Sequence, residues 1–325
     1  MTAMQYQKKL KCELYNDSMQ GWKCYPIQKA QLIIADVPYN VGTNFYGSNP
    51  VWYKGGDNKN GESNLAGKAA FASDFNFNLY EYFHFCSRLM KKDDKNPSIR
   101  GRSSNSPCMI VFCSFEQLGT LIDAAKGQGF IHYIPLVFIK KSSPQALKAN
   151  MRVVGATEYA LLFYRDKLPK FRNAAQYDPE TGKAIRGTGH MVKNWFGWEY
   201  TPEEIEAFCA DDCGIPDYIP WETDGTNIPK IHPTQKPIAV IRKLIETFTD
   251  PGDVVIDPCF GSGTTARACQ ELGRSFYGFE INKEFCRRAR EEMLLKPEEI
   301  EHTEPLNIVE RMNKRRWRYR KENQS

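Results

Sequence analysis

The chain has 325 residues, 41% hydrophobic and 26% charged, with a formal net charge of +5. That is enough for one large α/β domain with an appendage, or for two domains, and for a sizeable core. No apolar run approaches bilayer-spanning length and the first ten residues are polar, so a membrane protein is excluded and a cytoplasmic one expected. The ten cysteines are expected as reduced thiols. Cys209 and Cys213 are the closest pair, with no second pair at ligand spacing, so no metal is expected.

In chain order, residues 10–15 alternate enough to be a short strand, and Asn16-Asp17-Ser18 closes it with turn chemistry. The β-branched apolar run ending in Ala35 predicts a buried strand, followed by Asp36-Val37-Pro38-Tyr39. Residues 41–74 are rich in Gly, Asn and Lys and predict a long functional or disordered loop. Helical spacing covers 77–90, and 91–107 reads as a polar surface insertion. A strand over 109–113, a helix over 115–126 and strands over 133–140 and 158–164 follow, with a basic irregular segment at 141–156. Residues 171–231 carry Trp195, Trp198 and Trp221, many Gly, Pro and Asp, and one helix over 202–208, and read as a small second region. His232-Pro233-Thr234-Gln235-Lys236-Pro237 leads into a helix over 238–248. A strand over 253–257 enters Asp257-Pro258-Cys259-Phe260-Gly261-Ser262-Gly263. A helix to Leu272, a strand over 275–281 containing Glu280, and a charged helix over 283–295 complete the pattern. Alternating strands and helices over most of the chain predict a doubly wound α/β sheet.

Two places carry chemistry. Pro38 lacks an N–H and fixes its own φ, so the chain leaves the sheet there in an extended turn. A carboxylate and an aromatic face are thereby presented together at the carboxyl end of a strand, the edge where open α/β sheets bind ligands. The carboxylate can accept from an exocyclic amine while the ring stacks on the base that carries it. Taken alone, Asp36 could equally be a turn acid. In the second place, two glycines two residues apart allow a tight turn and a close ligand approach. The spacing is neither GxGxxG nor a phosphate loop. Glu280 lies where such units place an acid for ribose hydroxyls. An acid at the first turn, Asp257, suits a ligand carrying an amino group. Adenosine joined to an amino acid fits better than a dinucleotide, and the ligand suggested is S-adenosylmethionine.

Together these motifs resemble the DNA amino methyltransferases, whose catalytic motif reads Asp/Asn/Ser-Pro-Pro-Tyr/Phe and whose cofactor motif reads Asp-Pro-Phe-x-Gly-Ser-Gly-Thr-Thr. The catalytic motif comes first here and the cofactor motif last, an order similar to the circularly permuted beta group. The resemblance implies a Rossmann-like, seven-stranded methyltransferase sheet in permuted order, with residues 10–17 brought beside the last strand. It implies that Asp36 and the carbonyl near Pro38 accept from the target amine and that Tyr39 stacks on a flipped base. It also implies that Asp257, Pro258, Phe260, Gly261 and Gly263 belong to the cofactor site, with Glu280 on the ribose and Asp17 on the adenine amine. Thr234 and Lys236 then lie in the block closing on the methionine end. Val37 departs from the family's first proline.

The activity implied is methyl transfer to adenine N6 in double-stranded DNA, because Asp rather than Ser opens the motif. Cytosine N4 and a catalytically inactive homologue are the alternatives. The implied domains are a catalytic half over 1–170, target recognition over 171–231, a cofactor half over 232–296 and a basic tail over 297–325. Residues 311–325 hold seven Lys or Arg and one acid, and losing them would turn +5 into −1. That run, with Trp317 and Tyr319, suits either a phosphate backbone or plain solvation. A homodimer is compatible with the resemblance.

Overall fold

The computed structural model describes residues 10–39, 77–95, 105–140, 157–172, 194–196, 224–225, 227–232 and 234–296. The expected loop at 41–74, the basic segment at 141–156, most of the region 171–231, Cys209, Cys213 and the basic tail lie outside the described residues.

Strands form where apolar, β-branched runs are short and bounded by turn residues. In chain order they are β1 (Cys12–Tyr15), β2 (Leu32–Asp36), β3 (Cys108–Cys113), β4 (His132–Ile139), β5 (Thr157–Tyr164), β6 (Trp195–Phe196), β7 (Val254–Asp257) and β8 (Ser275–Phe279). Among the described residues the α-helices are α1 (Leu79–Leu89), α2 (Leu118–Gly127), α3 (Ile238–Phe248), α4 (Thr264–Glu271) and α5 (Lys283–Arg288). All the strands join one sheet in the order β1-β8-β7-β2-β3-β5-β4-β6. Seven of them are four residues or longer, as expected, and the two-residue β6 pairs with β4 beside them.

Strands β2, β3 and β7 are buried throughout except at Asp36. Their near-continuous hydrophobic runs follow from burial on both faces. Leu32, Ile34, Ile110, Phe112 and Val255 face a layer containing the apolar stripe of α3 and α4. Ile33, Ala35, Met109, Val111 and Ile256 face the opposite layer, with α1 and α2. Successive residues of a strand point to opposite faces, so each strand feeds both cores. The expected approach of the first strand to the last is observed: β1 pairs in parallel with β8, with Cys12 opposite Phe276.

Two features of this frame position the site. The helix layer changes face between β2 and β7, which are parallel neighbours with Ile33 opposite Ile256. Such a switch leaves a crevice outside the carboxyl ends of the two strands. In addition, β5 runs antiparallel to both β3 and β4. The start of β5 therefore reaches the same edge as the ends of β2 and β3.

Some boundaries differ from the sequence expectation. The helix expected from 115 begins as a 3-10 turn over Phe115–Gln117 before α2. The last helix continues past α5 as a π-helical turn over Ala289–Met293. The second region, whose sequence shows no strong strand period, contributes β6.

Candidate active site at the carboxyl edge

The switch-point crevice is a cavity of about 490 Å³, within the range of small-molecule sites. Among the expected site residues, Asp36, Pro38, Tyr39, Thr234, Lys236, Asp257, Phe260, Gly261 and Glu280 line it. Asp17, Pro258 and Gly263 are not among its lining residues. The Asp17 carboxylate accepts from Ser18 N–H at 2.7 Å and from the Tyr25 hydroxyl at 2.9 Å, which ties the turn after β1. Gly263 sits at φ 82° at the start of α4, where an added Cβ would lie 3.0 Å from Ala289 Cβ. It is needed for the backbone turn and for helix packing.

The glycine turn is built from β7 outward. Asp257, 4% exposed, accepts from Cys259 N–H at 3.0 Å and from the Thr265 hydroxyl at 2.7 Å. Burial pushes its carboxyl up to about 7, against the pull of those two bonds. Phe260 donates its N–H to Phe279 O and lies over Gly278, where an added Cβ would come within 2.7 Å of the Phe260 ring. Gly261 has φ 51°, a conformation that costs other residues strain. Its N–H donates to Glu280 Oε2 at 3.0 Å, and Asn282 N–H donates to Glu280 Oε1 at 2.7 Å. Burial raises the Glu280 carboxyl above its ordinary range.

Asp36 faces this turn from the end of β2. Its Oδ2 accepts from Lys236 Nζ at 2.6 Å, while its Oδ1 is buried without a hydrogen-bond partner among the described residues. Burial raises its pKa, Lys236 opposes that, and Glu158 adds to it. Val37, the departure from the family motif, is 1% exposed and packs in the α1–α2 layer. The Pro38 carbonyl accepts from Gln117 Nε2 at 2.9 Å, and Gln117 Oε1 accepts from Ser114 N–H at 3.3 Å. That bridge from the end of β3 fixes the turn carrying Tyr39.

The segment before α3 is pinned by Gln235, which donates to Asp224 and to Pro229 O and accepts from Ile231 N–H. Asp224 also accepts from Ile238 N–H at 2.8 Å, closing the start of α3. This anchoring aims Lys236 at Asp36. His232 lines the cavity edge-on to Phe285. Desolvation, with Lys236 adding to it, brings its imidazole down to about 4.

Sequence reasoning passed over Glu158 and Gln117. An acid near the start of an otherwise apolar strand is a signal for Glu158. Gln117 carries none, since its role depends on a carbonyl 79 positions away.

A family model described as DNA methylase matches residues 30–291. The chain belongs to that DNA methylase family. This DNA methylase is 25% identical over 287 residues to the DNA adenine methyltransferase YhdJ of Escherichia coli (strain K12), covering 84% of the chain and 79% of that protein. Its fold matches the crystal structure of an M1.HpyAVI–SAM complex at a TM-score of 0.50, with 22% identity, over 86% of this chain and 97% of the other. The PvuII DNA methyltransferase, described as cytosine-N4-specific, matches at a TM-score of 0.50 and 16% identity over 92% and 91% of the two chains. The Rossmann-like methyltransferase fold is thus shared with a structure solved with SAM and with a cytosine-N4-specific DNA methyltransferase.

Proposed function

We propose that this chain transfers a methyl group from S-adenosylmethionine to N6 of an adenine flipped out of double-stranded DNA. The observation that carries this is the buried Oδ1 of Asp36, which has no partner at hydrogen-bonding geometry among the described residues, on a residue that shares one cavity with Asp257, the Gly261 turn and Glu280. Buried acceptors without partners are rare and call for a donor.

The residues present fit the cofactor. Asp257, Phe260 and Gly261 supply a close-approach turn with a buried acid, and the remaining lone pairs of Glu280 suit vicinal hydroxyls. When bound, S-adenosylmethionine supplies an electrophilic sulfonium methyl. Motif order supports assignment to the permuted group: Asp36 precedes the glycine turn in the chain, and β1 completes the sheet beside β8.

Asp36 Oδ1 accepts one N–H of the exocyclic amine, and the Pro38 carbonyl, which has a second lone pair beyond its bond from Gln117, accepts the other. These directions favour a localised nitrogen lone pair, and their catalytic value is positioning and electrostatics. As the acceptor of one N–H, Asp36 can hold the proton the amine gives up when its nitrogen takes the methyl. Tyr39 offers the stacking face, and flipping costs roughly a few kcal/mol. Adenine is favoured over cytosine by Asp at the first motif position and by the name of the relative YhdJ.

The test is nucleoside mass spectrometry of unmethylated genomic DNA incubated with protein and S-adenosylmethionine. N6-methyladenine is expected from the native chain. Asp36→Ala should lower transfer by about 10²-fold or more while cofactor affinity stays within a few-fold. N4-methylcytosine without N6-methyladenine overturns the base assignment, and native-rate transfer by Asp36→Ala overturns the role of Asp36.

A further inference from the structure

A chain of buried charge extends from Asp36 away from the cofactor turn. Lys236 Nζ lies 2.6 Å from Asp36 Oδ2 and 3.1 Å from Glu158 Oε2, and Lys140 pairs with the other Glu158 oxygen. The side chains of Lys236 and Glu158 are only 8% and 17% exposed. The rings of Phe112 and Tyr39 flank the ammonium at 5.4 and 5.8 Å. Glu158 reaches this place because β5 is the reversed strand. Tyr159, the next residue, lies opposite Cys113 at the end of β3, one strand beyond Asp36. A parallel strand would have sent the same position to the far edge.

One ammonium is therefore shared between two carboxylates, only one of which meets the substrate in the reading above. We propose that Glu158 is a positioning residue for methyl transfer. By holding part of the Lys236 ammonium, it limits how far Asp36 is neutralised and keeps Asp36 Oδ1 turned to the incoming amine. Lys140 holds Glu158 in turn. The inference rests on the reading of Asp36 as the amine acceptor.

The groups facing Asp36 are Lys236 before α3, Glu158 on β5, Cys113 on β3, and Asp257 and Cys259 at the end of β7, with Tyr39 on its own segment. Two of these act in opposite senses. Without the Glu158 charge, Lys236 belongs wholly to Asp36, so the carboxylate ionises at lower pH and is a weaker acceptor. Without the Lys236 charge, Asp36 faces Glu158 alone and ionises at higher pH.

The experiment is single-turnover methyl transfer to unmethylated genomic DNA between about pH 5 and 9, with S-adenosylmethionine affinity measured in parallel. Glu158→Gln should slow transfer and move the acidic limb down by roughly one pH unit, with cofactor affinity within a few-fold of native. Lys236→Gln should move the limb up, and Lys236→Arg should return it towards the native position. If Glu158→Gln does not fold, Lys140→Gln serves instead. It lets Glu158 claim more of Lys236, and its limb should move up by less than that of Lys236→Gln. Limbs that stay in place, or move the same way in Glu158→Gln and Lys236→Gln, overturn the proposal while Asp36→Ala still lowers transfer by about 10²-fold or more. Transfer surviving in Asp36→Ala instead overturns the underlying reading.

Discussion

The two edges of the sheet both bury carboxylates, and they treat them in opposite ways. At the amino edge, Asp253 takes Lys170 at 2.6 Å and Lys91 at 2.9 Å, and Asp250 takes Arg172 through two bonds. The Arg172 bonds hold the Asp250 carboxyl well below the usual range. Asp253 also stays low, because bonds from Lys170, Asp250 N–H and Lys91 outweigh its burial. At the carboxyl edge, Asp36, Asp257 and Glu280 are raised by burial, while Glu158, between Lys236 and Lys140, is held low against its burial like the acids of the other edge. Carboxylates saturated with cations brace a fold, whereas carboxylates kept short of partners are ready for a ligand.

The largest effect that distinguishes the edges is expected from Lys170→Met. The variant leaves Asp253, 12% exposed at its side chain, without its shortest ion pair. Urea unfolding at neutral pH should show a loss of about 3 kcal/mol, with cofactor affinity near native. A comparable loss in affinity with no loss in stability would erase the distinction.

Asp257→Asn should act in the opposite sense. The native carboxyl is raised to about 7, so between about pH 4 and 7 the folded state binds more protons than the unfolded state, and stability falls as pH rises. Asparagine can still accept from Cys259 N–H and donate to Thr265, with no charge to bury. The cofactor-free variant should therefore be more stable than native by a few kcal/mol at pH 8, about 1.4 for each unit of the raised pKa, with the gap closing towards pH 4. Cofactor affinity should fall. A variant less stable than native at pH 8 would place Asp257 with the amino-edge acids.

Arg172→Gln should have the smallest effect. Arg172 and Asp250 are 42% and 40% exposed, so solvent screens the pair and the loss should stay below about 1 kcal/mol at pH 7. A depressed carboxyl contributes stability above its unfolded pKa and loses it as pH falls. The deficit should therefore shrink below about pH 4, as thermal melts across that range would show.

Much of the fold was legible because its elements are local. The stripe over Ile238–Phe248 matches the observed helix end for end, and the central strands announce themselves as unbroken apolar runs. The end of β8 was overrun because the Glu280 carboxylate is drawn to two backbone N–H groups, a bond pattern hidden from periodicity. Phe115–Gln117 winds tightly as Gln117 reaches across to Pro38. At the site, Asp36 and the glycine turn could be read from motif chemistry alone. The seat of Lys236 could not, since its partner lies 200 positions earlier. Nor could Glu158, whose place depends on the direction of one strand. Asp17, which the family resemblance assigns to the adenine amine, accepts from Ser18 and Tyr25, bonds that no periodicity announces.

The pairing of β1 with β8 and of β2 with β7 also governs when the protein can acquire its shape. On a ribosome, the strand ending in Asp36 emerges early, but one of its two neighbours starts at Val254. The first strand waits longer still, with its partners 264 positions away. Until the last quarter of the chain is synthesised, β2 presents an unpaired apolar edge, and such edges invite aggregation. Closing loops of that length also makes folding slow. The carboxylate of Asp36 is among the first side chains made, yet its cavity closes only with the last strands.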